Sequence, residues 1–391
     1  MSRIFYILLF INVIACAQEF RFTGVVKDSA TLAPVPFVNI LFEHNVPGYK
    51  NGSITNFSGE FSVSQKNINV SFSHINYETL NLTLTDSNTV VLLVPKSYTL
   101  EELVVSNISA KDYLKNIIKE SGKKIDKNTN FKSYCREIVK INEMHTKYSD
   151  ALIDYYVKKG NGNSNIILKQ HRALKNKSID TTNTNDLLHS LENNFNSLFN
   201  IKDYVKHAYN FNLIESILKK DDYEFEWWIK KELNGIEYEY INIIPNPKSD
   251  KVLYEGYVII EPKSKSILEF KVYFSESHKR NSKLMNFVVA KAKGNDKLVW
   301  SKYKIIEDKY LLTYNRNHFD MDIHLKKEAY KFSFTSDIFI YDFENDVEIP
   351  KSNYNKKTIF EAGTNYQDEY WKLYNSFPLS KEEEEFINSV K

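Results

Sequence analysis

The stretch Tyr254-Glu255-Gly256-Tyr257-Val258-Ile259-Ile260-Glu261, then Pro262-Lys263-Ser264-Lys265-Ser266, then Ile267-Leu268-Glu269-Phe270 decides the fold of most of this chain. Two runs rich in β-branched and aromatic residues flank a short polar turn cluster, the pattern of two antiparallel strands in sequence. Just upstream, Tyr238 to Ile244 stops at Pro245-Asn246-Pro247, a second turn signal, so three strands follow one another as a meander. Downstream, Lys297 to Ile306, Tyr310 to Asn317 and Lys331 to Phe343 extend it. Upstream, Tyr134 to Val139 and Ala151 to Val157 are strand-like, and Asn161-Gly162-Asn163-Ser164-Asn165 before Ile166-Ile167-Leu168 reads as a hairpin loop. The composition agrees: 26 Tyr and 25 Phe stand against 11 Gly and 9 Pro, a balance that favours strands over helices.

Helical signals are fewer. Ser109 to about Asn128 places Tyr113, Leu114, Ile117 and Ile118 on one stripe. Leu187 to Leu218 carries helical spacing through Leu187, Leu188, Leu191, Phe195, Leu198 and Phe199, after a polar loop from Lys175 to Asp186. Lys381 to Ile387 reads as a short terminal helix after Pro378, its acidic first turn suited to the helix dipole.

From Phe20 to about Val94 the pattern changes to short strands at close spacing, including Phe22 to Val26, Pro36 to Phe42, Glu60 to Val63, Val70 to Ser73, Leu80 to Leu84 and Val90 to Val94. About seven strands fit, a small sandwich. Four blocks here, Gly24-Val25-Val26-Lys27-Asp28, Pro34-Val35-Pro36-Phe37-Val38-Asn39-Ile40, Thr55-Asn56-Phe57-Ser58-Gly59-Glu60-Phe61 and His74-Ile75-Asn76-Tyr77-Glu78, resemble in order those of the carboxypeptidase-regulatory-like domain. The resemblance implies a transthyretin-like seven-stranded sandwich, common in envelope proteins of Gram-negative bacteria, and no catalytic residue. Gly59 lies between two strand runs, where a tight turn needs positive φ. Tyr98 to Val105 looks like the linker that leads into the plug and barrel of TonB-dependent receptors, yet the chain that follows is too short for such a barrel. The strand, polar turn, strand succession over Gly256 to Phe270 resembles the lipoprotein-carrier (LolA-like) half-barrels of the periplasm.

Met1 to Ala17 has the layout of an export signal, with Arg3 ahead of the apolar run Ile4 to Ile14, and is too short to span a bilayer. Ala15-Cys16-Ala17 before Gln18 fits ordinary signal cleavage, whereas Val13-Ile14-Ala15-Cys16 resembles the lipobox whose cysteine is lipidated. The strand starting by Phe20 leaves little linker for an anchor and favours release. Only Cys135 then belongs to the folded body, which excludes a disulfide framework. A formal net charge of +2 leaves no field to hold a phosphate backbone.

The strongest catalytic pattern is His189-Ser190-Leu191-Glu192 with His318 further on, because zinc carboxypeptidases take two ligands from His-x-x-Glu and a third from a distant histidine. The motif falls in a Leu/Phe helical pattern instead of at a strand end, and a meander follows where that enzyme fold alternates strands and helices. A second cluster, His318-Phe319-Asp320-Met321-Asp322-Ile323-His324, puts four polar residues on one face of a strand and three apolar ones on the other, as expected of an amphipathic strand. Glu226-Trp227-Trp228 and Tyr238 to Tyr240 are candidates to line a hydrophobic or carbohydrate groove, or else to fill the core. Arg136 beside Cys135 could activate the thiol, but no histidine pairs with it. Asp28-Ser29-Ala30 and Asp180-Thr181-Thr182 resemble O-glycosylation sites of some envelope proteins.

These readings give a mainly β chain with some α: a signal peptide over 1–17, a β-sandwich over 18–97, a linker and helix over 98–130, an α+β domain on an antiparallel sheet, a possible half-barrel, over 131–350, and a tail with a short helix over 351–391. The expected role is an exported, non-enzymatic module, periplasmic or outer-membrane associated, that binds an envelope protein, glycan or lipid and uses no cofactor or metal. The alternatives are a zinc peptidase using His189, Glu192 and His318, and a periplasmic lipid or lipoprotein carrier.

Overall fold

The computed structural model describes residues 22–42, 52–56, 58–63, 68–74, 76–160, 162–176, 200–209, 211–232, 236–286, 291–306, 309–325, 328–365 and 379–390. The signal segment with Cys16, the pair His189 and Glu192, and Asp180-Thr181-Thr182 lie outside the described residues. The chain divides into two compact units, Met1–Lys96 with Asp368–Glu383 and Ser97–Gln367 with Glu384–Lys391.

The first unit holds β1 (Phe22–Asp28), β2 (Asn39–Phe42), β3 (Gly52–Ile54), β4 (Glu60–Val63), β5 (Ile68–His74), β6 (Tyr77–Leu84) and β7 (Thr89–Leu93). They form a three-stranded sheet ordered β4-β1-β7 and a four-stranded sheet ordered β3-β2-β5-β6. Val26, Phe61 and Val91 from the first pack with Ile40, Phe72 and Leu84 from the second in one core, as expected of a sandwich. The family-like blocks meet in space. Asp28 Oδ1 accepts from the backbone N–H groups of Ala30 and Thr31, both at 2.8 Å, and its Oδ2 accepts from the Tyr77 hydroxyl at 2.9 Å. Asn56 Oδ1 accepts from Ser58 N at 3.0 Å and Glu60 N at 2.9 Å, shaping the turn in which Gly59 has φ +71°. A Cβ at Gly59 would lie 2.4 Å from the Val26 carbonyl oxygen, so the turn requires glycine.

The second unit begins with β8 (Tyr98–Leu103) and α1 (Ala110–Lys123). The long strands β9 (Thr129–Ile141), β10 (Met144–Val157) and β11 (Ser164–Lys175) follow, and then two short helices, α2 (Tyr204–Tyr209) and α3 (Asn212–Leu218). The rest is strand: β12 (Tyr223–Glu232), β13 (Glu237–Pro245), β14 (Tyr254–Glu261), β15 (Ser266–Phe274), β16 (Met285–Asn286), β17 (Lys291–Ile306), β18 (Lys309–Leu325) and β19 (Glu328–Glu344). The last helix is α4 (Lys381–Val390). Strands β8 to β19 form a single antiparallel sheet ordered β11-β10-β9-β19-β18-β17-β15-β14-β13-β12-β8, with β16 paired to β17. Among the described strands the path does not return on itself, so they form an open sheet and not a closed barrel.

Helices cover one face. Leu114 and Ile117 of α1, Val205 and Ala208 of α2, and Ile214 and Ile217 of α3 share a buried cluster with Ile241, Val258, Phe270 and Leu312 of the sheet. On α1, Ser109 caps the first turn by accepting from Asp112 N at 3.1 Å. The spacing that predicts one helix from Leu187 to Leu218 gives way, in its described part, to a 3-10 turn and two short helices. The break falls at Phe211, whose φ of 50° no α-helix continues through.

The outer edge of β11 is covered by the segment after β19. Ser352 Oγ and Asn353 Oδ1 accept from Ile166 N and Leu168 N at 3.0 and 2.8 Å, and Asn365 pairs with His171. Such cover removes a row of unpaired backbone groups that would otherwise template aggregation.

Candidate functional site

Because strand side chains alternate between faces, the register assigns each one a side. Directly opposed residues on the face away from α1, α2 and α3 form one row across ten strands: Arg172, Asp150, Arg136, Asp337, Arg316, Trp300, Lys271, Tyr257, Asn242 and Glu226. Its first half is a ladder of alternating charge. Arg172 Nε donates to Asp150 Oδ1 at 3.0 Å, and its Nη2 donates to Asp150 Oδ2. Arg136 Nη2 donates to Asp337 Oδ2 at 3.0 Å, and Arg316 Nη1 to Asp337 Oδ1 at 3.3 Å. Tyrosines from the adjoining rows complete the shells: Tyr148 and Tyr134 donate to Asp150 Oδ2 at 2.8 and 3.1 Å, and Tyr314 donates to Asp337 Oδ1 at 2.6 Å. Burial alone would raise the Asp337 carboxyl, but the guanidiniums of Arg316 and Arg136 and the Tyr314 bond outweigh it and hold it below the ordinary carboxylate range.

Toward β12 the row opens. Glu269 is buried and accepts on Oε1 from Trp300 Nε1 and from the Tyr257 hydroxyl, both at 2.8 Å. The Lys302 ammonium lies 3.7 Å from its other oxygen. Burial lowers the pKa of Lys302, with the Glu269 charge opposing. Lys271 Nζ lies 4.7 Å from the centre of the Trp300 ring, a cation–π contact. Trp228, Tyr240, Tyr257 and Tyr273, half-buried, share this face, with Trp228 Nε1 donating to Glu226 Oε2 at 3.1 Å and Lys230 Nζ lying 4.9 Å from the Tyr240 ring centre.

The opposite face carries the buried carboxyl of Glu137. Glu137 Oε1 accepts from the Tyr204 hydroxyl of α2 at 2.6 Å, and its Oε2 accepts from Ile359 N at 2.8 Å and from Ser149 Oγ at 3.4 Å. Burial pushes it up to about 7, despite these bonds, which favour the charged form.

The two tryptophans of Glu226-Trp227-Trp228 part company, as neighbours in a strand must. Trp227 stacks on Tyr113 of α1 with ring centres 3.9 Å apart, on the helix-covered side, and Trp228 faces the open side. Tyr238 and Tyr240 likewise flank Glu239, whose Oε2 accepts from the Tyr113 hydroxyl at 2.5 Å on the helix side. In β18, Phe319, Met321 and Ile323 are buried with Val139, Phe332 and Phe334, while His318, Asp320, Asp322 and His324 face the other way. His318 Nδ1 lies 2.8 Å from Thr335 Oγ1 and its Nε2 lies 3.3 Å from Asp320 Oδ1. Among the described residues no three His, Cys, Asp or Glu side chains come together as a metal site. Cys135 is buried on the helix side, with Arg136 turned to the other face. Burial pushes its thiol up to about 12. Asp28, in the glycosylation-like triplet, spends its carboxylate on the turn. The charge ladder and the buried Glu269 were not among the sequence candidates.

Residues 22–105 match the CarboxypepD_reg-like domain model, and the N-terminal sandwich is such a domain. The match runs past the first unit into β8, which hydrogen-bonds to β12 in the large sheet. No curated protein matches the chain by sequence. Among solved structures, one of lipovitellin, titled for its lipid–protein interactions, covers 62% of this chain at 8% identity and a TM-score of 0.24, and this chain spans 28% of its length. A DUF1329 family protein from Desulfovibrio piger covers 62% of this chain and 93% of its own at 9% identity and a TM-score of 0.21. Neither likeness bears on function.

Proposed function

We propose that this is an exported, non-enzymatic binding protein of the cell envelope whose ligand-contacting surface is the face of the large sheet away from α1, α2 and α3, between β12 and β17. One observation carries the reading: this face offers half-buried rings and charged side chains in register across adjacent strands, while the other face is packed by α1, α2 and α3. Fixed rings beside directed polar groups are the makings of a recognition surface. A carrier of apolar chains calls instead for an apolar hollow, whereas this face is crossed by charge. The N-terminal leader pattern supports export, and the regulatory-like sandwich, which brings no catalytic residue, supports a role without chemistry.

Hydroxyl-radical footprinting tests the assignment. The protein is saturated in turn with polysaccharide, lipid and protein fractions of the envelope, and oxidation is read at Trp228, Tyr240, Tyr257 and Tyr273. Protection of these rings by one fraction supports the surface. No protection by any fraction, or protection only on the sandwich, overturns it.

A further inference from the structure

We infer that the occupant of this face is a linear, weakly charged saccharide chain lying across the strands; the inference rests on the binding role proposed above. Neighbouring strands each contribute one half-buried ring, Trp228 from β12, Tyr240 from β13, Tyr257 from β14 and Tyr273 from β15, while Trp300 of β17 is buried. Trp228 and Tyr240 are directly opposed. Tyr257 and Tyr273 each step one diagonal further, because Tyr240 opposes Ile259 and Tyr257 opposes Lys271. Strands lie about 4.8 Å apart and two residues along a strand span about 6.8 Å, so these three steps, two of them diagonal, make a track of roughly 20 Å, the reach of a short oligosaccharide rather than of a single small molecule.

The rings are tied down before any ligand arrives. Glu226 holds the Trp228 indole N–H and Glu269 holds both Tyr257 and Trp300. Tyr273 stands directly opposite Glu255 on the neighbouring strand. With the polar edges of Trp228 and Tyr257 engaged, these rings offer flat apolar area at little further entropic cost, which suits the C–H faces of sugar rings. Between them stand directional groups suited to hydroxyls: Asn242, Glu226 and Lys271. The Lys271 ammonium touches only the rings of Trp300 and Tyr273 among the described residues. Glu226 and Glu255 against Lys230 and Lys271 leave the strip close to neutral, which argues against a polyanion. An acyl chain would have to lie across these same charges without pairing them, at a desolvation cost.

The test is titration of the full-length exported protein, followed by tryptophan fluorescence, with cello-, xylo-, manno- and chito-oligosaccharides of two to six sugars. One series binds, its affinity rises with length and levels off as the track fills, and Tyr257→Ala weakens it roughly tenfold. Tyr273→Ala, at a less buried ring than Tyr257, does the same and guards against a folding defect in the first variant. If no oligosaccharide binds while phosphatidylglycerol vesicles or an envelope protein fraction protect the same rings, the saccharide is wrong and the binding face stands. If binding occurs without length dependence, the track is wrong. If no fraction protects the rings at all, both fall.

Discussion

Replacing Asp337 by asparagine removes one charge from the middle of the ladder and leaves the side-chain shape intact. Asp337 and Arg136 are each 3% exposed, and the carboxylate answers to Arg136 at 3.0 Å, Arg316 at 3.3 Å and Tyr314 at 2.6 Å. A guanidinium as deep as Arg136 cannot be rehydrated without opening the sheet. Breaking a buried pair by removing one partner costs about 3–5 kcal/mol, a large share of the ~5–15 kcal/mol that holds a typical domain. Lys132, which bridges Asp342 at 3.0 Å and Glu344 at 2.7 Å nearer the surface, supplies the control, because exposed pairs contribute at most about 1 kcal/mol. Urea unfolding of Asp337→Asn and Lys132→Met, read as midpoint shifts at constant slope, should separate the two by that margin. Adding Arg136→Met to Asp337→Asn should recover part of the loss, since it withdraws one stranded charge, so the two substitutions will not add. A cost below about 1 kcal/mol for Asp337→Asn, or strict additivity in the double variant, would refute the claim that the ladder is a coupled network.

Glu137, raised by burial from the 4.5 of an exposed glutamate to about 7, binds its proton more tightly folded than unfolded. Stability therefore falls as pH rises between about 4.5 and 7, by about 3 kcal/mol from this group alone. Glu137→Gln should flatten that slope in unfolding measurements at pH 5 and 8, and an unchanged slope would count against the site. The Cys135 thiol, buried and held protonated, should resist alkylation at pH 8 in the native protein and react only on unfolding, as peptide-resolved mass spectrometry will show. Ser109→Ala should cost about 1 kcal/mol through loss of the α1 cap, seen as a lower urea midpoint; no shift would mean that the cap is replaced by another group.

The antiparallel character of the large sheet was readable because its turn clusters, Pro245-Asn246-Pro247 and Pro262 to Ser266, are strong local signals. The lengths of β9 and β10 were not, since their hairpin turns at Asn142 and Glu143, both at positive φ, without the glycine that usually marks a two-residue turn. The sandwich was readable because its motif residues do local work: Asp28, Asn56 and Gly59 each shape their own turn. The ladder was not, because nothing in Arg136, Asp150, Arg172, Arg316 or Asp337 taken singly distinguishes it from a solvated strand residue. It exists only in the register between strands up to two hundred residues apart. Cys135 and Arg136, adjacent in sequence, are kept apart for the related reason that neighbours in a strand face opposite ways.

That dependence on register suggests what the ladder does for the fold. Strands β9, β10, β17, β18 and β19 are long, and long strands offer many sliding alternatives of similar backbone hydrogen bonding. A slip of one residue anywhere in this group would turn Arg136 or Asp337 into the face packed by helices and bring Glu137 or Ser336 into the charged row. A slip of two residues would keep the faces but set Arg136 opposite Phe339 or Thr335 in place of Asp337, leaving buried charge unpaired. Neither error is cheap at this depth, so the alternating row penalises wrong pairings more than it stabilises the right one. On this argument a register-fixed charge ladder at one end is what holds Trp228, Tyr240, Tyr257 and Tyr273 in step at the other. Loss of Asp337 should therefore weaken ligand binding at rings several strands away, even where the protein remains folded, and binding that survives Asp337→Asn undiminished would separate the two halves of the row.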